Sequence, residues 1–121
     1  MTPPPRDPEQ HLPLTPALFH VLVALADGDK HGYAILKDVT QRTSGKVVLG
    51  TGTLYGIIKR LLDEGWIEEV RRRPPAAEDD ARRRYYRLTS FGHQVALAEA
   101  RRLEAVVAAA RDVRLLARAR A

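Results

Sequence analysis

The side chains of this sequence that could do chemistry are hydroxyls, phenols and cations rather than nucleophile–base pairs. Thr51-Gly52-Thr53 is followed by Tyr55 and, one helical turn later, by Lys59. Tyr33 and Lys37 repeat that spacing upstream, and two basic triplets follow, Arg71-Arg72-Arg73 and Arg82-Arg83-Arg84. Such groups hydrogen-bond to anions, phosphate above all. Enzymatic chemistry is poorly served. There is no cysteine, and the four histidines are scattered, without the carboxylate spacing of a metal cage. No serine, histidine and carboxylate arrangement suggests a nucleophile with its base. Gly50-Thr51-Gly52-Thr53 lacks the lysine and the length of a phosphate-cradling loop. The reading is a non-enzyme with no cofactor and no metal.

Those residues need elements to hold them. Leu54, Ile57, Ile58, Leu61 and Leu62 recur at the helical period and predict an amphipathic helix over about 53–64. Thr53, Tyr55, Lys59 and Arg60 lie mostly on its other faces. Gly65 supplies the stop, and Thr51 and Thr53 compete as the cap. A basic, hydroxyl-bearing face opposite a buried stripe suits a helix that reads the major groove. Any surface helix has the same pattern, so the neighbouring elements must decide.

Upstream, residues 1–13 are Pro-rich and polar, and read as a flexible segment. Thr15-Pro16 starts a first helix, with Leu18, Val21, Leu22 and Leu25 on its buried face. A second helix over about 32–43 buries Ile35, Leu36 and Val39, with His31 as its cap. Lys46-Val47-Val48-Leu49 is short and branched, and reads as a bridge strand. Downstream of the organising helix, residues 66–73 and 82–88 alternate as two strands of a hairpin, with Ile67, Tyr86 and Leu88 inward. Residues 74–81 form its loop, acidic at Glu78, Asp79 and Asp80.

Thr89 caps a last helix over about 90–116, whose start packs back through Phe91, Val95 and Ala98. Leu103, Val106, Ala110, Val113 and Ala117 recur at alternating spacings of three and four, with Val107 and Leu115 widening the seam. An isolated helix cannot hide that stripe, which implies a partner, most simply a second copy, the alternative being a fold-back within the chain. The assembled order is mainly α with a small β hairpin: a winged helix-turn-helix plus a long C-terminal dimerisation helix. The predicted organisation is a flexible segment over 1–13, a DNA-binding domain over 14–89, a dimerisation helix over 90–116 and a frayed tail over 117–121.

Net charge is +5, which favours an anionic partner. No apolar run follows the first residues, and none reaches membrane-spanning length, so a cytoplasmic protein with no membrane partner is expected.

At this point the sequence resembles the PadR family of bacterial transcriptional regulators. The resemblance runs from Leu14-Thr15-Pro16 through His31-Gly32-Tyr33-Ala34-Ile35 and Gly52-Thr53-Leu54-Tyr55. It continues through Leu61 and Glu64-Gly65-Trp66-Ile67, and closes with Arg84-Tyr85-Tyr86-Arg87-Leu88-Thr89 and Gly92. It implies a dimeric winged-helix repressor of the short subclass, with one C-terminal helix. Some members respond to phenolic acids or bind flat aromatic drugs between subunits. This chain carries Gly56 where many relatives have proline, and Trp66 where leucine is usual. Its last helix has Phe91 as its only aromatic, which argues against a stacking drug pocket.

The expected partners are a pseudo-palindromic double-stranded DNA operator, a second copy of the chain and a small-molecule effector. The expected DNA contacts are Tyr33, Lys37, Thr51, Gly52, Thr53, Tyr55, Lys59, Arg71, Arg72, Arg73, Arg82, Arg83 and Arg84. The expected dimer seam is Leu103, Val106, Val107, Ala110, Val113 and Ala117. Each has a plainer reading. Tyr33 could be half-buried against the organising helix, Arg60 could pair with Glu64, and the acidic loop could neutralise part of the wing. The rival function is a winged-helix protein–protein module that turns the same basic surface toward an acidic partner.

Overall fold

The computed structural model describes residues 6–71 and 84–117. Helix α1 spans Pro16–Ala26, strand β1 Lys30–His31, α2 Gly32–Arg42, α3 Thr51–Asp63, β2 Ile67–Val70, β3 Tyr85–Leu88 and α4 Ser90–Asp112. The cap expected for α1 is present: Thr15 Oγ1 accepts the Leu18 N–H at 3.3 Å, and Pro16 occupies the first turn. His31 caps α2 through Nδ1, which accepts the Ala34 N–H at 3.2 Å. The acceptor role leaves Nδ1 without a proton.

One core joins all the helices to the sheet. It comprises Leu18, Val21, Leu22 and Leu25 of α1, Ile35 and Val39 of α2, and Leu54, Ile58 and Leu61 of α3. Trp66, Ile67, Tyr86 and Val95, with the small Ala24 and Ala96, complete it. Each of these large side chains stabilises the fold by about 1.5–3 kcal/mol through burial. Leu62, at the edge of the predicted stripe, is exposed. Helix α3 ends where Gly65, at φ 75°, closes a turn in which the Trp66 N–H donates to Leu61 O and the Gly65 N–H to Leu62 O. That pairing satisfies the last carbonyls and redirects the chain into β2.

The sheet is antiparallel in the order β1-β3-β2, with Ile67 opposite Leu88 and Val70 opposite Tyr85. The bridge strand is Lys30–His31, paired with Tyr86 and Tyr85, not the 46–49 segment. Val47 and Leu49 instead pack on the core as a connection, and the Val47 N–H donates to Thr43 Oγ1 rather than to a strand. Branched apolar residues have two ways to be buried, and here packing prevails over pairing.

Two clamps tie α4 to the sheet. Thr89 Oγ1 donates to Gly65 O at 2.7 Å and accepts the Gly92 N–H at 3.1 Å. Gly92 lies so close to the residue before β2 that a Cβ there would stand 1.8 Å from Trp66 O. Helix α4 stops at Asp112, four residues short of the expected end, because Arg114 turns to φ 64° and the Leu115 N–H closes on Ala110 O. Val113 is therefore the C-terminal cap residue and Ala117 lies beyond the helix, so neither continues the Leu103–Ala110 seam. Arg111 Nε donates to Ala117 O across this turn.

Part of the segment expected to be flexible packs on the body: Pro8–His11 form a 3-10 turn seated on α4; residues 1–5 lie outside the described residues. Arg6 lies 4.0 Å above the Phe91 ring and donates to Glu64 O at 2.7 Å. The His11 ring meets Trp66 and Phe91 edge-on at 5.0 and 5.9 Å. The Leu14 N–H donates at 2.6 Å to Glu99, whose carboxylate also accepts from Arg102 Nε. This strap uses polar and aromatic contacts that carry no hydrophobic period in sequence.

Candidate nucleic-acid interface

Helix α3 divides cleanly. Leu54, Ile58 and Leu61 are buried, whereas Thr51, Gly52, Thr53, Tyr55, Gly56, Lys59 and Arg60 are exposed. The cap competition between Thr51 and Thr53 has no winner: both lie inside the first turn, and the cap residue is Gly50, with no side-chain hydrogen bond. Both hydroxyls and the early α3 N–H groups thus face outward without a side-chain cap, a favourable end for an anion. Lys59 makes no ion pair among the described residues. The alternative Arg60–Glu64 pair is also not formed among the described residues; Glu64 faces Arg6 at 4.0 Å.

Beside α3, the start of α2 presents Tyr33 and Lys37. Tyr33 is 62% exposed and stacks on His31, with ring planes 10° apart, so it is not packed against α3. Lys37, one turn on, is exposed. Tyr55 is half exposed, yet its hydroxyl end rests on Gly32: a Cβ there would stand 2.7 Å from the Tyr55 oxygen. Sequence reasoning did not single out Gly32 as part of the site. The only local signal was a glycine in the middle of His-Gly-Tyr.

The hairpin adds cations. Val70 opposite Tyr85 leaves Arg71 and Arg84, both exposed, just past the last strand pair, where the chain leaves β2 and returns to β3. Arg84 reaches Glu69 at 3.9 Å, and Arg87 reaches Asp29 at 3.5 Å. Exposed pairs of this kind contribute about 0–1 kcal/mol and exchange readily for other anions. Arg72, Arg73, Arg82 and Arg83 lie outside the described residues, as do Glu78, Asp79 and Asp80. Tyr86 anchors the strand from within. Burial raises its phenol above the ordinary value, as do Glu69 and Tyr55, while Arg84 opposes the shift.

Along α4 the predicted seam is uncovered. Leu103 and Val106 are exposed, at 37% and 55%, and Val107 and Ala110 are partly so. Among the described residues no group of histidine and carboxylate side chains could hold a metal ion. No helix among them is long and apolar enough to cross a membrane.

Three helices, an exposed face on the third and a small antiparallel sheet beside it define the class: a winged helix-turn-helix protein with a long C-terminal helix. The sequence profile described as "Transcriptional regulator PadR-like family" matches residues 21–98. The chain belongs to that family, whose members are regulators and not enzymes. A transcriptional regulator from Clostridium thermocellum is similar at 26% identity and TM-score 0.65, over 78% of this chain and 86% of that one. A PadR family regulator from hypervirulent Clostridium difficile has the same fold at 22% identity and TM-score 0.65, over 79% and 95%. Bacillus subtilis PadR in complex with operator DNA shares the fold at 23% identity and TM-score 0.56. That match covers 68% of this chain and 45% of the larger protein. A search of curated protein sequences finds no match.

Proposed function

We propose that this protein is a sequence-specific, homodimeric DNA-binding repressor whose α3 enters the major groove of a pseudo-palindromic operator. The observation that carries the reading is the division of α3: Leu54, Ile58 and Leu61 are buried in the core on one face, and the other holds Thr51, Thr53, Tyr55 and Lys59 exposed. In this reading Thr53 and Tyr55 meet base edges, and Lys59, Lys37 and Tyr33 meet phosphates on either side. Gly52 lets the backbone approach. The wing arginines 71–73 and 82–84 reach the flanking backbone or minor groove. Leu103, Val106, Val107 and Ala110 of α4 cover the same residues of a second copy, and twofold symmetry repeats the reading helix along one duplex. Bacillus subtilis PadR, which has the same fold, was solved with operator DNA. Release by a small-molecule effector follows from the family resemblance alone.

The test is a titration of randomised duplex DNA at two salt concentrations, followed by selection and sequencing. A preferred sequence with steep salt dependence is expected. Absence of duplex binding at low salt refutes the repressor.

A further inference from the structure

We propose that Gly32 is a positioning residue for DNA sequence preference: its missing side chain seats the Tyr55 ring on the start of α2. The proposal rests on the DNA-reading function above and names a residue, outside the reading helix, that sets what the helix reads. The geometry is specific. A Cβ built on Gly32 would stand 2.7 Å from the Tyr55 hydroxyl oxygen, 3.1 Å from Cζ and 3.4 Å from Cε1. Its three nearest neighbours are therefore all atoms of one ring edge.

The backbone does not call for glycine here. Gly32 is the first residue of α2 and is not among the residues with positive φ, so any L-amino acid fits its conformation. Tyr33, the next residue, is stacked on His31 at 6.4 Å between centroids and leaves the Gly32 face to Tyr55. A tyrosine on an open helix surface samples several rotamers. Here the far end of the ring is held by a second helix, while half of the residue stays exposed to a ligand. A ring held in place before binding meets a base edge or sugar at a fixed point, which is preorganisation.

A double-mutant cycle tests this on the full-length protein. Duplex selected by the wild type from a randomised library, and a scrambled duplex of the same length, are titrated with wild type, Gly32→Ala, Tyr55→Ala and the double variant. Gly32→Ala should lower the ratio of selected to scrambled affinity by about tenfold, the scale of one base-recognition contact. In the Tyr55→Ala background the same change should cost little. An unchanged ratio in Gly32→Ala, or the full loss repeated without the Tyr55 ring, overturns the positioning role. Independently of any variant, free wild-type protein should show a nuclear Overhauser contact between the Tyr55 ring and the Gly32 Hα protons. Its absence overturns the proposal even where Gly32→Ala fails to fold. Wild type that binds no duplex at low salt removes the repressor function and this proposal together. That outcome is distinct from a wild type that binds selectively while Gly32→Ala matches it.

Discussion

Gly92 and Gly56 are the same residue type under opposite demands. At Gly92 a methyl group would enter the Trp66 carbonyl at 1.8 Å, and backbone meets backbone, so neither side can rotate away. Gly92→Ala should destabilise the fold by about 3 kcal/mol or more, read as a lowered urea midpoint. At Gly56 nothing lies within 4 Å of an added Cβ, and the residue sits on the outward face of α3. Gly56→Ala should stabilise the protein by about 0.5–1 kcal/mol through helix propensity. If α3 lies in a groove, that variant should nevertheless bind the selected duplex more weakly, because the methyl group stands between helix and DNA. Lys59→Ala should weaken binding to every duplex alike and reduce the salt slope by about one, leaving sequence preference intact.

Among the elements, the strap of residues 6–14 and the end of α4 depart most from what the sequence suggests. Burial alone would raise the Glu99 carboxyl. The Arg102 hydrogen bond, the Leu14 N–H and the Arg102 charge outweigh it and hold the group below its ordinary value of 4.5. A depressed folded value stabilises above the unfolded one, so this contribution is full at neutral pH and fades as pH falls below about 4.5. Glu99→Gln should lower stability at pH 7 by about 1–3 kcal/mol, and the gap to wild type should narrow on acidification. The helices, the caps of α1, α2 and α4 and most buried faces were legible because Thr15-Pro16, Gly65 and Thr89 sit at the ends of clear 3.6-residue stripes, whereas the α3 cap was not, since Gly50 and neither Thr51 nor Thr53 holds it. The strap was not, since Arg6, His11 and Glu99 act through single long-range contacts. The end of α4 was hidden for another reason: Arg114, not glycine, takes the left-handed turn. Of the site, the exposed face of α3 was legible from its stripe, whereas Gly32 required knowing where Tyr55 points. Val106→Asp, on the uncovered seam, should shift the protein to monomer in sedimentation equilibrium with the fold unchanged.

For the whole molecule, the proposed homodimer predicts footprints in two halves, spaced by one helical turn of DNA or a multiple of it. Nuclease protection of a selected site should show that spacing, and the Val106→Asp variant should lose protection of both halves together at limiting concentration. A monomer that protects a single half-site with undiminished affinity contradicts the symmetric arrangement.

Trp66 is the only tryptophan in the chain, it is 1% exposed, and the His11 edge covers it. Its fluorescence is therefore a built-in optical gauge of whether the N-terminal segment is seated. A lifted segment would admit water to the indole and move its emission to longer wavelength. Spectral titration with duplex or small molecules can thus follow the junction between α3 and α4 without an added label.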